Sequence, residues 1–231
     1  MIRVRNISKS FNNSGNVIDN ISFDVNSGST IGLVGFNGAG KTTLLRLISN
    51  FLTPDSGSIL LSDSKNNSLR TSMIDSNERS MFWRLTVLNN LEFFYELHIN
   101  NVNDKKENIY NALNSVGCFH LKDCLFMHLS SGQKQLIKIA KSLLINPKIL
   151  VLDEPTKSLD LKAKISLYDF LRKYKAQNPD LIILWSTHNL DELDEICNRA
   201  LCIESGRLIA DLSKEHISVK FSEYILEKIF K

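Results

Sequence analysis

The stretch Gly35-Phe-Asn-Gly-Ala-Gly40-Lys41-Thr42 matches the pattern G-x-x-x-x-G-K-[ST]. It follows the short apolar run Ser29–Val34, read as a strand, and opens Lys41–Asn50, where Leu44, Leu45, Leu47 and Ile48 recur at helical spacing. Strand, glycine-rich loop and helix in that order build an anion cradle. Gly35, Gly38 and Gly40 free the backbone around Phe36, Asn37 and Ala39, so that successive N–H groups point at phosphate oxygens. The helix start adds its partial positive charge, and Thr43 belongs to the same turn. Lys41 can reach the β- and γ-phosphates as a point charge, and the Thr42 hydroxyl can ligate Mg²⁺. The plainer alternative is a glycine-rich turn with a chance lysine, and the order of elements argues against it.

Such a cradle needs a carboxylate for the metal. Lys148-Ile-Leu-Val-Leu-Asp153-Glu154 supplies it: four apolar residues of a buried strand ending in two acids. Asp153 at the strand end can hold Mg²⁺ through water. Glu154, turned the other way, can polarise an attacking water. Two acids after a strand could instead cap the next helix. The two motifs together favour the metal reading and define a P-loop NTPase.

On either side of these motifs, Asn16–Asp24 alternates as a half-buried strand, and Ser58–Leu61 is a strand after the turn Thr53-Pro-Asp-Ser-Gly57. Ser62–Ser68 is a polar surface loop. Helical spacing runs over Val87–His98, Lys105–Val116 and Ser131–Ile145, the last ended by Asn146-Pro147. Strands and helices then alternate through Ile149–Leu152, Leu161–Tyr174, Leu181–Trp185, Leu190–Cys197 and Ala200–Glu204. The fold class expected is α/β: a P-loop core with a parallel sheet, an antiparallel β subdomain, and a helical insertion near 85–135. The whole chain, 1–231, is expected to be one domain, with an amphipathic tail over about 213–231.

Composition narrows the classes. At 231 residues the chain is one large domain or one with an insertion. A net charge of +3 is too mild to predict nucleic-acid binding. The start, Met1-Ile-Arg-Val-Arg-Asn-Ile-Ser8, has no apolar stretch of the secretory kind. The longest apolar run, Leu181–Trp185, has five residues, against about 20 for a membrane span. Four cysteines form no C-x-x-C, which suits free thiols in a reducing compartment. Cys118, His120, Cys124 and His128 fit no zinc spacing.

Leu129-Ser130-Ser131-Gly132-Gln133 opens a helix ahead of Asp153. It offers a serine hydroxyl and helix-start N–H groups, a second anion site, although Ser and Gly also suit a plain cap. The stretch resembles the LSGGQ signature of ABC ATPases. With it in place, the resemblance extends over about residues 2–211. It implies that Phe11 stacks on adenine, that Ser158-Leu159-Asp160 is the D-loop, and that His188, after Thr187, contacts the γ-phosphate. It implies a chain that binds ATP and Mg²⁺ and pairs head to tail with a second copy. Each ATP then lies between Gly35–Thr42 of one copy and Ser130–Gln133 of the other. It further implies a separate transmembrane permease as partner, at the cytoplasmic face of the membrane, and no nucleic acid.

Two departures stand out. Ser131 replaces the first glycine of the signature. Where the family has a glutamine after a strand near Ser72–Ile74, Ser76 stands in its place, beside Asn77 and Glu78. A serine cannot reach the metal as glutamine does, except through water. The stretch Asn77–Thr86, with Phe82, Trp83 and Arg84, resembles ATPases of exporters of polysaccharides, lipids or drugs, as does Glu154–Asp160, so an exporter is expected. The competing class is a soluble ABC ATPase of translation or DNA repair. The first type carries two nucleotide domains in one chain and the second a long coiled-coil insertion. A nucleotide kinase is disfavoured by Ser130–Gln133 and His188.

Overall fold

The computed structural model describes residues 1–11, 15–63, 65, 67–75, 80–99, 104–157, 159–217 and 219–230. The chain divides into two compact units, one of residues 1–73, 148–154 and 179–231, the other of residues 74–147 and 155–178.

The first unit carries two sheets. Strands β1 (Ile2–Ser10), β2 (Asn16–Val25) and β4 (Ser56–Leu61) form an antiparallel sheet in the order β2-β1-β4. The second sheet runs β5-β6-β7-β3-β8-β9, with β5 Thr71–Ile74, β6 Ile149–Asp153, β7 Ile182–Thr187, β3 Thr30–Val34, β8 Arg199–Glu204 and β9 Arg207–Ser213. β6, β7, β3 and β8 are parallel, and β9 returns antiparallel to β8. Every residue of β3, β6 and β7 is buried. A parallel strand covered on both faces is therefore written as an unbroken apolar run, as in Ile149–Leu152. The core joins Ile2, Val4 and Ile7 of β1 to Ile21, Phe23 and Val25 of β2. These meet Leu44, Leu45, Leu47 and Ile48 of helix α1 (Lys41–Ile48) and the buried faces of β3, β6 and β7. Each fully buried Leu or Ile contributes about 1.5–3 kcal/mol.

The second unit is helical: α2 (Val87–His98), α3 (Lys105–Ser115), α4 (Ser131–Leu143) and α5 (Leu161–Gln177), with short 3₁₀ turns at Phe119–Leu121 and Phe126–His128. Thr86 caps α2 by accepting from Asn89 N–H at 3.1 Å. Asn90, fully buried on α2, fixes the turn before it. Its Oδ1 accepts from Phe82 N–H at 2.8 Å, and its Nδ2 donates to the carbonyls of Phe82 (2.9 Å) and Thr86 (3.0 Å).

In the first unit α6 (Asp191–Ile196) joins β7 to β8, and β9 is followed by a 3₁₀ turn at Lys214–His216 and α7 (Phe221–Lys228). The stretch expected as an amphipathic tail thus holds the end of β9, this turn and α7. Phe221 and Ile225 of α7 are buried, and Asp194 caps it through Phe221 N–H at 2.7 Å.

Candidate functional site

The C-terminal ends of β3, β6 and β7 lie in register: Val34 pairs with Thr187, and Asp153 with Ser186. The loops leaving these strands therefore gather at one edge of the sheet, where open α/β sheets bind ligands. After β3 comes the loop Gly35–Gly40. Gly40 sits at the N-cap of α1 with φ 103, and a Cβ there would lie 2.7 Å from the Val17 carbonyl oxygen. Only glycine fits. Gly40 has no side chain to cap the α1 N-terminus, and the first turn holds no acid. The first N–H groups of a helix, which have no partner within it, fit an anion.

The buried Lys41 side chain folds back into the loop, donating to the carbonyls of Gly35 (2.7 Å) and Phe36 (3.1 Å). Burial pushes its pKa below the ordinary lysine value, and the charges of Glu154 and Asp153 oppose that. Thr42 Oγ1 donates to Asp153 Oδ2 at 2.8 Å, although the two residues are 111 apart in sequence. The hydroxyl and carboxylate are hard oxygen donors side by side. That donor set suits Mg²⁺, which takes one or two protein oxygens and keeps waters.

Glu154 turns away from β6 with φ 47, a left-handed backbone rare for a residue with a Cβ. Its Oε1 lies 3.4 Å from Nδ1 of His188, whose side chain is exposed. Strained backbone of this kind collects at functional sites. The helix that follows the acid pair, α5, is capped by Asp160, whose Oδ1 accepts from Ala163 N–H at 2.8 Å.

Two supports here carry no motif. The Ser186 hydroxyl donates to Asp153 Oδ1 at 2.6 Å and accepts from Glu154 N–H at 2.9 Å. The buried Glu192 carboxylate accepts from Thr187 Oγ1 at 2.8 Å and Trp185 Nε1 at 3.1 Å, holding the strand end before His188. Serine and glutamate in these places are common surface residues, and only the fold marks them. The tail also reaches the loop. Phe230 meets Phe36 edge-on at 5.3 Å between ring centroids, beside an apolar cavity of about 230 Å³ that His188, Leu190 and Leu226 help to line. Phe11 lies just past β1 with its ring exposed, the Lys9 ammonium 5.8 Å from its centroid.

The second unit carries the stretch expected to form the other anion site. Ser130 caps α4 in a capping box: its Oγ accepts from Gln133 N–H at 3.3 Å, and Gln133 Oε1 accepts from Ser130 N–H at 2.9 Å. Ser131 is exposed in the first turn. Gly132 is buried, and a Cβ there would lie 2.6 Å from Ala163 Cβ on α5. The glycine is required by helix packing. Ser76, Asn77, Glu78 and Ser158 fall outside the described residues.

Known proteins share this arrangement. A family model described as "ABC transporter" matches residues 18–157. The methionine import ATP-binding protein MetN of Histophilus somni is 33% identical over 221 residues, covering 90% of this chain and 64% of that protein. The sulfate/thiosulfate import ATP-binding protein CysA of Pseudomonas syringae pv. tomato is 33% identical over 213 residues, covering 89% of this chain and 65% of that protein. The chain thus spans just under two thirds of the length of these relatives. A nucleotide-free ATP-binding cassette from an ABC transporter superposes with a TM-score of 0.83 at 25% identity, covering 100% of this chain and 98% of that one. Both named relatives are import proteins, so the expected kinship with exporters of polysaccharides, lipids or drugs finds no support in them. With the family model covering more than half of its residues, and the cassette fold around its phosphate loop, the chain belongs to the ABC transporter family.

Proposed function

We propose that this chain is the ATP-binding and ATP-hydrolysing subunit of an ABC transporter, driving a separate membrane permease. The observation that carries the reading is the Thr42–Asp153 hydrogen bond, which joins the phosphate loop to an acid pair whose second member faces His188. Lys41 and the N–H groups of Gly38–Thr43 hold the β- and γ-phosphates. Thr42 and Asp153 hold Mg²⁺, which when bound neutralises charge developing on the phosphate oxygens. Glu154 orients and polarises the attacking water, and His188 lies on the γ-phosphate side. Phe11 stacks on adenine.

Ser130–Gln133 and Asp160 serve the ATP held by a second copy, so the chain works as a head-to-tail homodimer. Among the described residues no helix is long and apolar enough to cross a membrane. The reading gives the chain a separate permease as its partner, at the cytoplasmic face of the membrane. We assign its docking to the exposed aromatic patch of the helical unit. There Phe82 meets Phe93 edge-on at 4.9 Å, and the Lys134 ammonium lies 4.4 Å from the Trp83 ring. Direction of transport is set by the permease. Export rests on the sequence of Asn77–Thr86 and Glu154–Asp160, and the import ATPases among the relatives weigh against it.

The test is phosphate release from ATP by the purified chain, with and without Mg²⁺. Release that needs Mg²⁺ and is abolished in Lys41→Ala supports the reading. A wild-type chain that binds no ATP overturns it.

A further inference from the structure

Asp153 and Glu154 are adjacent in sequence, yet the reaction asks different things of them: one fixes a metal, the other a water. Each must be held at its own angle. Asp153 has both carboxylate oxygens engaged, Oδ2 by Thr42 Oγ1 at 2.8 Å and Oδ1 by Ser186 Oγ at 2.6 Å. The same Ser186 oxygen accepts the N–H of Glu154 at 2.9 Å, at the residue whose φ of 47 leaves the strand. Ser186 is wholly buried and stands opposite Asp153 in the parallel pair β6–β7.

We propose that Ser186 is a positioning residue for ATP hydrolysis. It sets the rotation of the metal-holding carboxylate and, through one backbone N–H, the direction in which the Glu154 side chain leaves the sheet. It touches neither nucleotide nor water itself. The inference rests on the ATPase reading above and deepens it.

The side-chain chemistry is narrow. A hydroxyl is the smallest group that donates and accepts at once. Alanine or valine would leave a carboxylate oxygen and an N–H without this partner in a buried place, and the two acids would lose their common anchor. The bond from Ser186 to Asp153 links β7, whose end leads to His188, with β6, whose end leads to Glu154. One hydroxyl therefore ties the metal side of the site to the water side.

The experiment compares the full-length wild type, Ser186→Ala, Ser186→Thr and Ser186→Cys. ATP is the nucleotide, and Mn²⁺ is the spectroscopic stand-in for Mg²⁺. For Ser186→Ala, kcat per ATP-binding site falls about 10–100-fold, the effect of losing a hydrogen bond to a charged group. KM for ATP stays within about threefold, because the phosphate loop is intact. The Mn²⁺ affinity of the nucleotide-bound protein, read by electron paramagnetic resonance, falls about tenfold. Ser186→Thr, which keeps the hydroxyl on a strand-favouring residue, restores both. Ser186→Cys keeps the volume with a weak donor and falls between, and it carries the comparison if the alanine variant does not fold.

If the hydroxyl merely stabilised the strand, its loss would lower the unfolding midpoint but leave kcat per site and Mn²⁺ affinity at wild-type values. That outcome, or a threonine variant as impaired as alanine, overturns the proposal. A wild type that hydrolyses no ATP rejects instead the ATPase reading on which it rests.

Discussion

Gly40→Ala tests why the phosphate loop has its sequence. Gly40 holds φ 103, and the added Cβ would sit 2.7 Å from the Val17 carbonyl oxygen and 2.9 Å from Ile18 Cδ1. The backbone conformation alone costs an L-residue about 1–2 kcal/mol. Pressing a methyl into the β2 backbone adds about 1–3 kcal/mol, since that oxygen belongs to a paired strand and cannot turn aside. A stiffer unfolded chain returns about 0.4–1 kcal/mol. The net is about 1–4.5 kcal/mol, centred near about 3, a large share of a typical stability of about 5–15 kcal/mol. Gly38→Ala is the control. Gly38 has φ 81 but open space around the position, so it carries only the conformational cost, about 1 kcal/mol net.

With a urea dependence of about 2 kcal/mol per molar, the midpoint should fall by about 1.5 M for Gly40→Ala and about 0.5 M for Gly38→Ala. Trp185, fully buried in the first unit, is the fluorescent reporter, in a Trp83→Phe background that silences the other tryptophan of the chain. A Gly40→Ala midpoint no lower than that of Gly38→Ala would refute the contact argument.

Glu154→Gln keeps the N–H bond to Ser186, so it should fold and bind ATP, while kcat falls by about 10²–10⁴; turnover within about fivefold of wild type contradicts its role. Asp55 accepts from Lys9 Nζ at 2.5 Å and from Ser10, which lowers its pKa from 3.8 to about 2. A depressed carboxylate stabilises the fold above its unfolded pKa and loses that stabilisation as pH falls through its folded one, so Asp55→Asn should flatten the acid limb between about pH 4 and pH 2. Denaturation curves of the two proteins that stay parallel there would discount the interaction. Gly132→Ala should destabilise the helical unit by about 1–3 kcal/mol through Ala163, and the double variant Gly132→Ala/Ala163→Gly should recover it in thermal unfolding. Trp83→Ala should reduce co-purification of a permease severalfold with ATP affinity unchanged; equal yields of partner count against the aromatic patch.

The sequence announces the site best where chemistry constrains it locally. Gly35–Thr42 and Ile149–Glu154 place β3, α1 and β6 within a residue or two, because a buried strand and a phosphate loop tolerate few alternatives. β1 escapes notice because its alternation breaks. Asn6 takes φ 47, the register shifts between Val4 and Ile7, and the buried residues fall at Ile2, Val4 and Ile7 instead of every second position. β9 alternates between exposed and half-buried residues and has no buried one, so its short run Leu208–Ala210 marks no core strand. Ser186 and Glu192 are invisible for another reason. Each acts through a partner distant in sequence or on the next element, and neither residue type is unusual. The signature stretch shows a limit of a different kind, since Ser130 and Gly132 satisfy capping and packing rules whether or not a second nucleotide is ever bound there.

The proposal that this chain powers a membrane partner can be tested on native membranes. Tagged Glu154→Gln is isolated from them after detergent solubilisation in ATP and Mg²⁺, and what comes with it is identified. A multi-span membrane protein in near-equal amount, retained with ATP and Mg²⁺ and lost when Lys41→Ala is used as bait, is the expected result. Recovery of only soluble ribosomal or DNA-repair proteins would contradict it and make the chain a free-standing ABC ATPase.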